Sequence, residues 1–229
     1  MKLSPLALTA ILAATVITTS GCIIHVNAHE DDHHHSQHKE KYKRVFGGIE
    51  IEKNREVGDL SSVNGGIDIA DGVTANKVET VNGGIEIGKN VTLKQASTVN
   101  GGIEADPYLN VEKDLSTVNG GIEVAAHSTI GKSVSTVNGE INLEQTLVSN
   151  NVSTKNGDIN LRNATIVEGD VIFRSKKNNS WSKDKNHSLP TLSIDASSNV
   201  KGRIILERKV ILEIENDQLL AKIEHQYAE

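Results

Sequence analysis

With 24 Lys and Arg against 30 Asp and Glu in 229 residues, the chain has a formal charge of −6, which excludes the basic footprint that nucleic-acid binding requires. Aromatic residues make up only 3%, which excludes a core built on large rings and points to a narrow interior filled by layers of Val, Ile, Leu and Ala. The single cysteine, Cys22, excludes any disulfide within the chain.

The chain opens on a positive start, Met1-Lys2, followed by the uncharged run Leu3 to Thr19 and the small-residue closure Thr18-Thr19-Ser20-Gly21-Cys22. That pattern reads as an export signal over residues 1–21, and it resembles a bacterial lipoprotein signal. The resemblance implies that Cys22 becomes the lipid-bearing first residue of an envelope protein. Ile23 stands where an Asp would resemble an inner-membrane retention signal, so outer-membrane sorting is expected in a Gram-negative cell. Several acyl chains on one residue would hold the protein firmly, each buried methylene adding about 0.8 kcal/mol.

Residues 22–44 lack hydrophobic periodicity and are polar, which predicts a flexible tether between lipid and folded domain. Six of the nine histidines lie there. His29, His33, His34, His35 and His38, interleaved with Glu30, Asp31 and Asp32, offer nitrogen and oxygen ligands for weak, exchangeable Zn²⁺, Ni²⁺ or Cu²⁺. The alternative is a solvated spacer whose imidazoles titrate near pH 6 to 7.

From residue 45 a phrase recurs at a fixed pitch: Val-Phe-Gly-Gly-Ile-Glu-Ile ending at Ile51, Val-Asn-Gly-Gly-Ile-Asp-Ile at Ile69, Val-Asn-Gly-Gly-Ile-Glu-Ile at Ile87. The leading glycines, Gly47, Gly65, Gly83, Gly101, Gly120, Gly139 and Gly157, are spaced 18, 18, 18, 19, 19 and 18 residues apart. A short fixed repeat means that each unit buries its apolar face only by stacking on its neighbours. Within a repeat the apolar positions fall in alternating pairs, as in Ile85, Ile87, Val91, Leu93, Ala96 and Val99, which is the signature of short strands. Three such stretches per repeat predict an all-β, single-stranded, triangular parallel β-helix with about 18 residues per coil over residues 45–215, its turns about 4.8 Å apart. The glycines serve a corner and close approach of successive coils. An extra residue in the 19-residue steps is expected to bulge at a corner.

Three polar columns accompany the apolar ones. Asn64, Asn82, Asn100, Asn119, Asn138 and Asn156 directly precede the glycine and suit a ladder of stacked amides. Ser62, Thr80, Thr98, Thr117, Thr136 and Thr154, three before the glycine, are expected to face outward beside an inward Val. A single hydroxyl column lacks the two-column pattern of ice-binding surfaces, so these read as β-branched strand residues. Glu50, Asp68, Glu86, Glu104 and Glu123, continued by Asn142 and Asn160, also face outward. Their mutual repulsion would be relieved by solvent, by lysines or by a column of Ca²⁺.

After Gly157 the pattern weakens but continues through Ile159, Leu161, Ile166, Val171 and Phe173. Residues 174–190 read as a loop carrying Trp181, a candidate contact for a protein or glycan. Coils resume at Leu192, and residues 216–229 read as a cap or tail over the open end.

The Val-Asn-Gly-Gly-Ile-Glu-Ile phrase, over roughly residues 44–174, resembles the adhesin-type β-strand-repeat proteins of bacterial envelopes. Gly169-Asp-Val-Ile and Val200-Lys-Gly-Arg-Ile-Ile resemble the coils of bactofilins. These resemblances imply a right-handed β-helix and carry over no catalytic residues. His127 and His187 stand alone and no nucleophile is paired with a base, so no enzyme is expected. The sequence therefore points to a lipid-anchored envelope protein whose solenoid is a structural or adhesin-like module, with self-association open to it. The alternative is a metal-binding envelope protein acting through the histidine tract.

Overall fold

The computed structural model describes residues 39–175 and 189–227. Cys22, the tether histidines, Glu30, Asp31 and Asp32, and Trp181 and His187 lie outside the described residues. The described chain winds into a β-solenoid of about ten turns in which every strand pairing is parallel. Three walls surround one apolar interior, and among the described residues no helix is long and apolar enough to cross a membrane.

The second wall shows the rule most plainly. Nine strands, Ile49–Ile51, Ile67–Ile69, Ile85–Ile87, Ile103–Ala105, Ile122–Val124, Ile141–Glu144, Ile159–Arg162, Thr191–Ile194 and Ile211–Ile214, stack in sequence order. Their register sets Ile49, Ile67, Ile85, Ile103, Ile122, Ile141 and Ile159 in one column and Ile51, Ile69, Ile87, Ala105, Val124, Leu143 and Leu161 in another. Both columns are buried, and from Glu50 to Glu123 the residue between them points out to solvent, as period-two alternation demands, whereas the equivalent Asn160 is covered.

The first wall begins with Tyr42–Phe46, so winding starts before the phrase itself, and it ends with Ile223–His225 paired to Ile204–Leu206. The third wall carries Asn110–Val111, Ser128–Ile130, Thr146–Val148, Ile166–Val167 and Asn199–Val200. Two strands, Thr74–Asn82 and Thr92–Asn100, run without a break from the third wall into the first. The break in later coils has a countable cause. Val78 and Ala96 follow Ala75 and Leu93 after two intervening residues, whereas three separate Val111 from Leu115, Ile130 from Val134 and Val148 from Val152. The added residue becomes a corner, at Glu112-Lys113-Asp114 in the first such coil.

One expectation is reversed. Ser62, Thr80, Thr98, Thr117, Thr136 and Thr154 are buried, while Val63, Val81, Val99, Val118 and Val137 are 36–40% exposed. Alternation is set by the inward Leu60, Val78, Ala96 and Leu115, which places the residue two later inside and the Val after it outside. The hydroxyls tolerate burial because each has an acceptor. Thr80, Thr98 and Thr117 donate at 2.8 Å to the carbonyls of Gly65, Gly83 and Gly101, and Thr136 at 3.0 Å to that of Gly120. A buried hydroxyl without such a bond would cost about 1–3 kcal/mol.

The leading glycines owe their place to stacking. A methyl group on Gly65, Gly83, Gly101, Gly120, Gly139 or Gly157 would overlap the carbonyl of the glycine one coil earlier. Among these seven only Gly47, in the first coil, has a positive φ, of 87°. The left-handed residues gather instead at the corner between the second and third walls: Asn54, Gly72, Asn90, Tyr108, His127, Gln145, Asn163 and Ala164. At the C-terminal end Asn216 caps the short 3₁₀ helix Asp217–Lys222, which seats Leu219 fully buried against the interior.

Candidate functional site: walls and corners

The first wall carries two outward columns side by side. One is valine: Val45, Val63, Val81, Val99, Val118 and Val137, all exposed. The other is a continuous amide ladder. Asn82 Nδ2 donates to Asn64 Oδ1, Asn100 to Asn82 and Asn119 to Asn100 at 2.8 Å, then Asn138 to Asn119 and Asn156 to Asn138 at 2.7 Å. Parallel in-register stacking brings identical amides within bonding distance and satisfies them without water. Arg208 closes the ladder's C-terminal end, its Nη1 donating to Asn156 Oδ1 at 3.1 Å and to the Lys155 carbonyl at 2.9 Å. The result is an apolar stripe bordered by amides that hydrogen-bond to one another from coil to coil.

The second wall is acidic. Glu50, Asp68, Glu86, Glu104 and Glu123 are all exposed and stand in register. Beside them runs the second glycine of each phrase, and the missing side chains leave a trough of about 390 Å³ lined by Glu86, Glu104, Glu123 and Glu140 over a floor of Gly84, Gly102 and Gly121. Past Glu123 the column changes to Asn142 and Asn160. Asn160 Nδ2 is shared between Asn142 Oδ1, at 2.7 Å, and the Glu140 carboxylate. Among the described residues no three His, Cys, Asp or Glu converge on a point that could hold a metal ion. The column is a strip of charge facing solvent, which repels acidic surfaces and tracks cations diffusely.

The left-handed corner brings Tyr108 and His127 together, with φ of 69° and 62°. Their exposed rings stack 4.9 Å apart at an interplanar angle of 14°. His127 therefore has an aromatic neighbour one coil away, which spacing along the sequence did not disclose.

A further column was also missed. Val73, Val91 and Leu109 give way in later coils to Ser128, Thr146, Thr165 and Ser198, all buried. Ser128 Oγ donates to the Ala125 carbonyl at 2.7 Å and accepts from the Leu109 N–H at 3.2 Å. Thr165 Oγ1 donates to the Arg162 carbonyl at 2.8 Å and accepts from the Thr146 N–H at 3.3 Å. Ser198 Oγ accepts from the Thr165 N–H at 3.1 Å. Every buried side-chain polar atom among the described residues has a hydrogen-bond partner. No protein-family model, curated protein or solved structure matches this chain.

Proposed function

We propose that this is an exported bacterial envelope protein, lipid-anchored at Cys22 and sorted to the outer membrane, whose β-solenoid is a non-catalytic structural and adhesive module. The observation that carries this reading is the exposed valine stripe running beside the preformed amide ladder along the first wall. Such a stripe meets an extended partner, a protein strand, a glycan or a second solenoid, at equal spacings along its length. The side chains ordered there are short or already bonded, so binding costs little conformational entropy. Repetition makes each contact weak and the array strong, in the way that linked sites gain avidity. The leader and its closing Gly21-Cys22 support the anchor, and the adhesin-type phrase supports the role.

Two experiments test the proposal. Replacing Val81, Val99 and Val118 together by Lys keeps the inward columns intact and should abolish cell aggregation or surface adhesion mediated by the protein. Unchanged adhesion with a folded triple variant would refute the role assigned to the stripe. Labelled palmitate should enter the wild type and be absent from Cys22→Ala; label retained in that variant would refute the anchor.

A further inference from the structure

Six Asn-Gly pairs lie in the repeat, at Asn64, Asn82, Asn100, Asn119, Asn138 and Asn156. Asparagine is a chemically labile residue, and a following glycine, with no Cβ in the way, leaves its side chain most open to attack. The glycine nitrogen, once deprotonated, bonds to the asparagine Cγ. Ammonia leaves, and the resulting succinimide is opened by water to aspartate or isoaspartate. The net change is one water consumed and one ammonia released, with a carboxylate in place of an amide.

The solenoid withholds the attacking nitrogen in five of the six pairs. The N–H of Gly65, Gly83, Gly101, Gly120 and Gly139 donates to the carbonyl of Asn82, Asn100, Asn119, Asn138 and Asn156 in the next coil, at 2.9–3.0 Å. A nitrogen held this way keeps its proton and points along the axis, away from its own asparagine's Cγ. The sixth pair differs. Past Gly157 the next strand of the second wall begins at Thr191, and the Pro190 carbonyl just before it accepts from Ile211. No acceptor among the described residues stands on the Gly157 N–H. Arg208 Nη1 meanwhile donates to Asn156 Oδ1 at 3.1 Å, drawing electron density from the carbon under attack and stabilising the oxyanion that forms there.

We infer that Asn156 is a self-modification site: it cyclises with Gly157 in the folded protein while the other five pairs are protected. Arg208 neutralises the new carboxylate at this position, which offsets the loss of the bond from Asn156 Nδ2 to Asn138 Oδ1.

The test uses the intact chain, incubated at mildly alkaline pH in native buffer or in guanidinium chloride. Cleavage after Lys and Arg puts each of the six pairs on its own peptide, so fragment mass spectra and isoaspartyl labelling read each site separately. In native buffer Asn156 should convert at least about tenfold faster than any of the other five, which react only after local opening. In guanidinium the six rates should converge. Equal native rates at all six, or a native Asn156 as slow as the rest, would overturn the inference.

Discussion

At the scale of single residues, the two glycines of each phrase look equivalent in the sequence, yet they answer to different constraints. The first is pressed against the carbonyl of the glycine one coil earlier, and the chain never substitutes it from Gly47 to Gly157. The second is roomier: a methyl on Gly102 would sit 3.3 Å from the Gly121 carbonyl, and the equivalent positions in later coils are Glu140 and Asp158. Gly139→Ala should therefore destabilise by about 3 kcal/mol or more, beyond the usual range for an overpacked core because backbone must move. Gly102→Ala should stay within about 1 kcal/mol. Denaturant melts of the two variants check the contrast, and equal losses would contradict it.

At the scale of strands and corners, hydrogen bonds that the wall ladders cannot supply are taken up by side chains. Asp71 accepts from the Lys89 N–H at 3.0 Å, and Asp170 accepts from both the backbone and the guanidinium of Arg203. Arg203 holds the Asp170 carboxyl below the usual carboxylate range, and the Lys89 N–H followed by the Lys53 ammonium does the same for Asp71. Burial pushes Asp195 upward, but hydrogen bonds from Ser198, Asn163 and Ser197 outweigh it and leave this group lowered as well. A carboxyl whose folded value is depressed contributes stability that is fully present above its unfolded value, near 3.9, and is lost as pH falls through the folded value. The Tm should therefore hold steady above about pH 5 and fall below about pH 4. Asp170→Asn should start lower at neutral pH and lose less on acidification; parallel curves for the two proteins would exclude this role of Asp170.

These elements also show what the sequence made legible. The pitch, the three walls and the inward Ile columns follow from the spacing of apolar residues, because stacking leaves period-two alternation few alternatives. The phase of the first wall was obscured because Val is more apolar than Thr, and only the coil-to-coil bond from Thr98 to the Gly83 carbonyl makes the hydroxyl the inward residue. The Ser128 column was hidden for a similar reason, since its partners are backbone groups. The Arg208 contact to Asn156 spans 52 residues of sequence, beyond the reach of any local pattern. The left-handed corner was legible in part, as Asn54, Gly72 and Asn90 are turn residues, but Tyr108 and His127 carry no such signal.

At the scale of the whole molecule, a solenoid has two ends, and each exposes apolar cross-section and unpaired strand edges unless something closes it. The C-terminal end is closed by Asn216 through His225. The side chain of Asn216 accepts from the Gln218 N–H at 3.2 Å to start the 3₁₀ helix, Leu219 plugs the interior, and Ile223–His225 adds the last strand of the first wall. Lys222 fastens the plug by donating to the Val200 carbonyl. Aliphatic columns such as Val171 over Ile204 and Leu192 over Leu212 continue to this end, so an uncovered end offers a second molecule the template each coil offers the next. Leu219→Asp should loosen the plug and leave the remaining coils wound, because stability in a repeat fold is a sum of neighbour interactions. Light scattering after size exclusion should then show concentration-dependent species larger than those of the intact chain, with β circular dichroism retained. A Leu219→Asp protein that keeps its β signal and elutes unchanged would show that Leu219 is dispensable for closing the end.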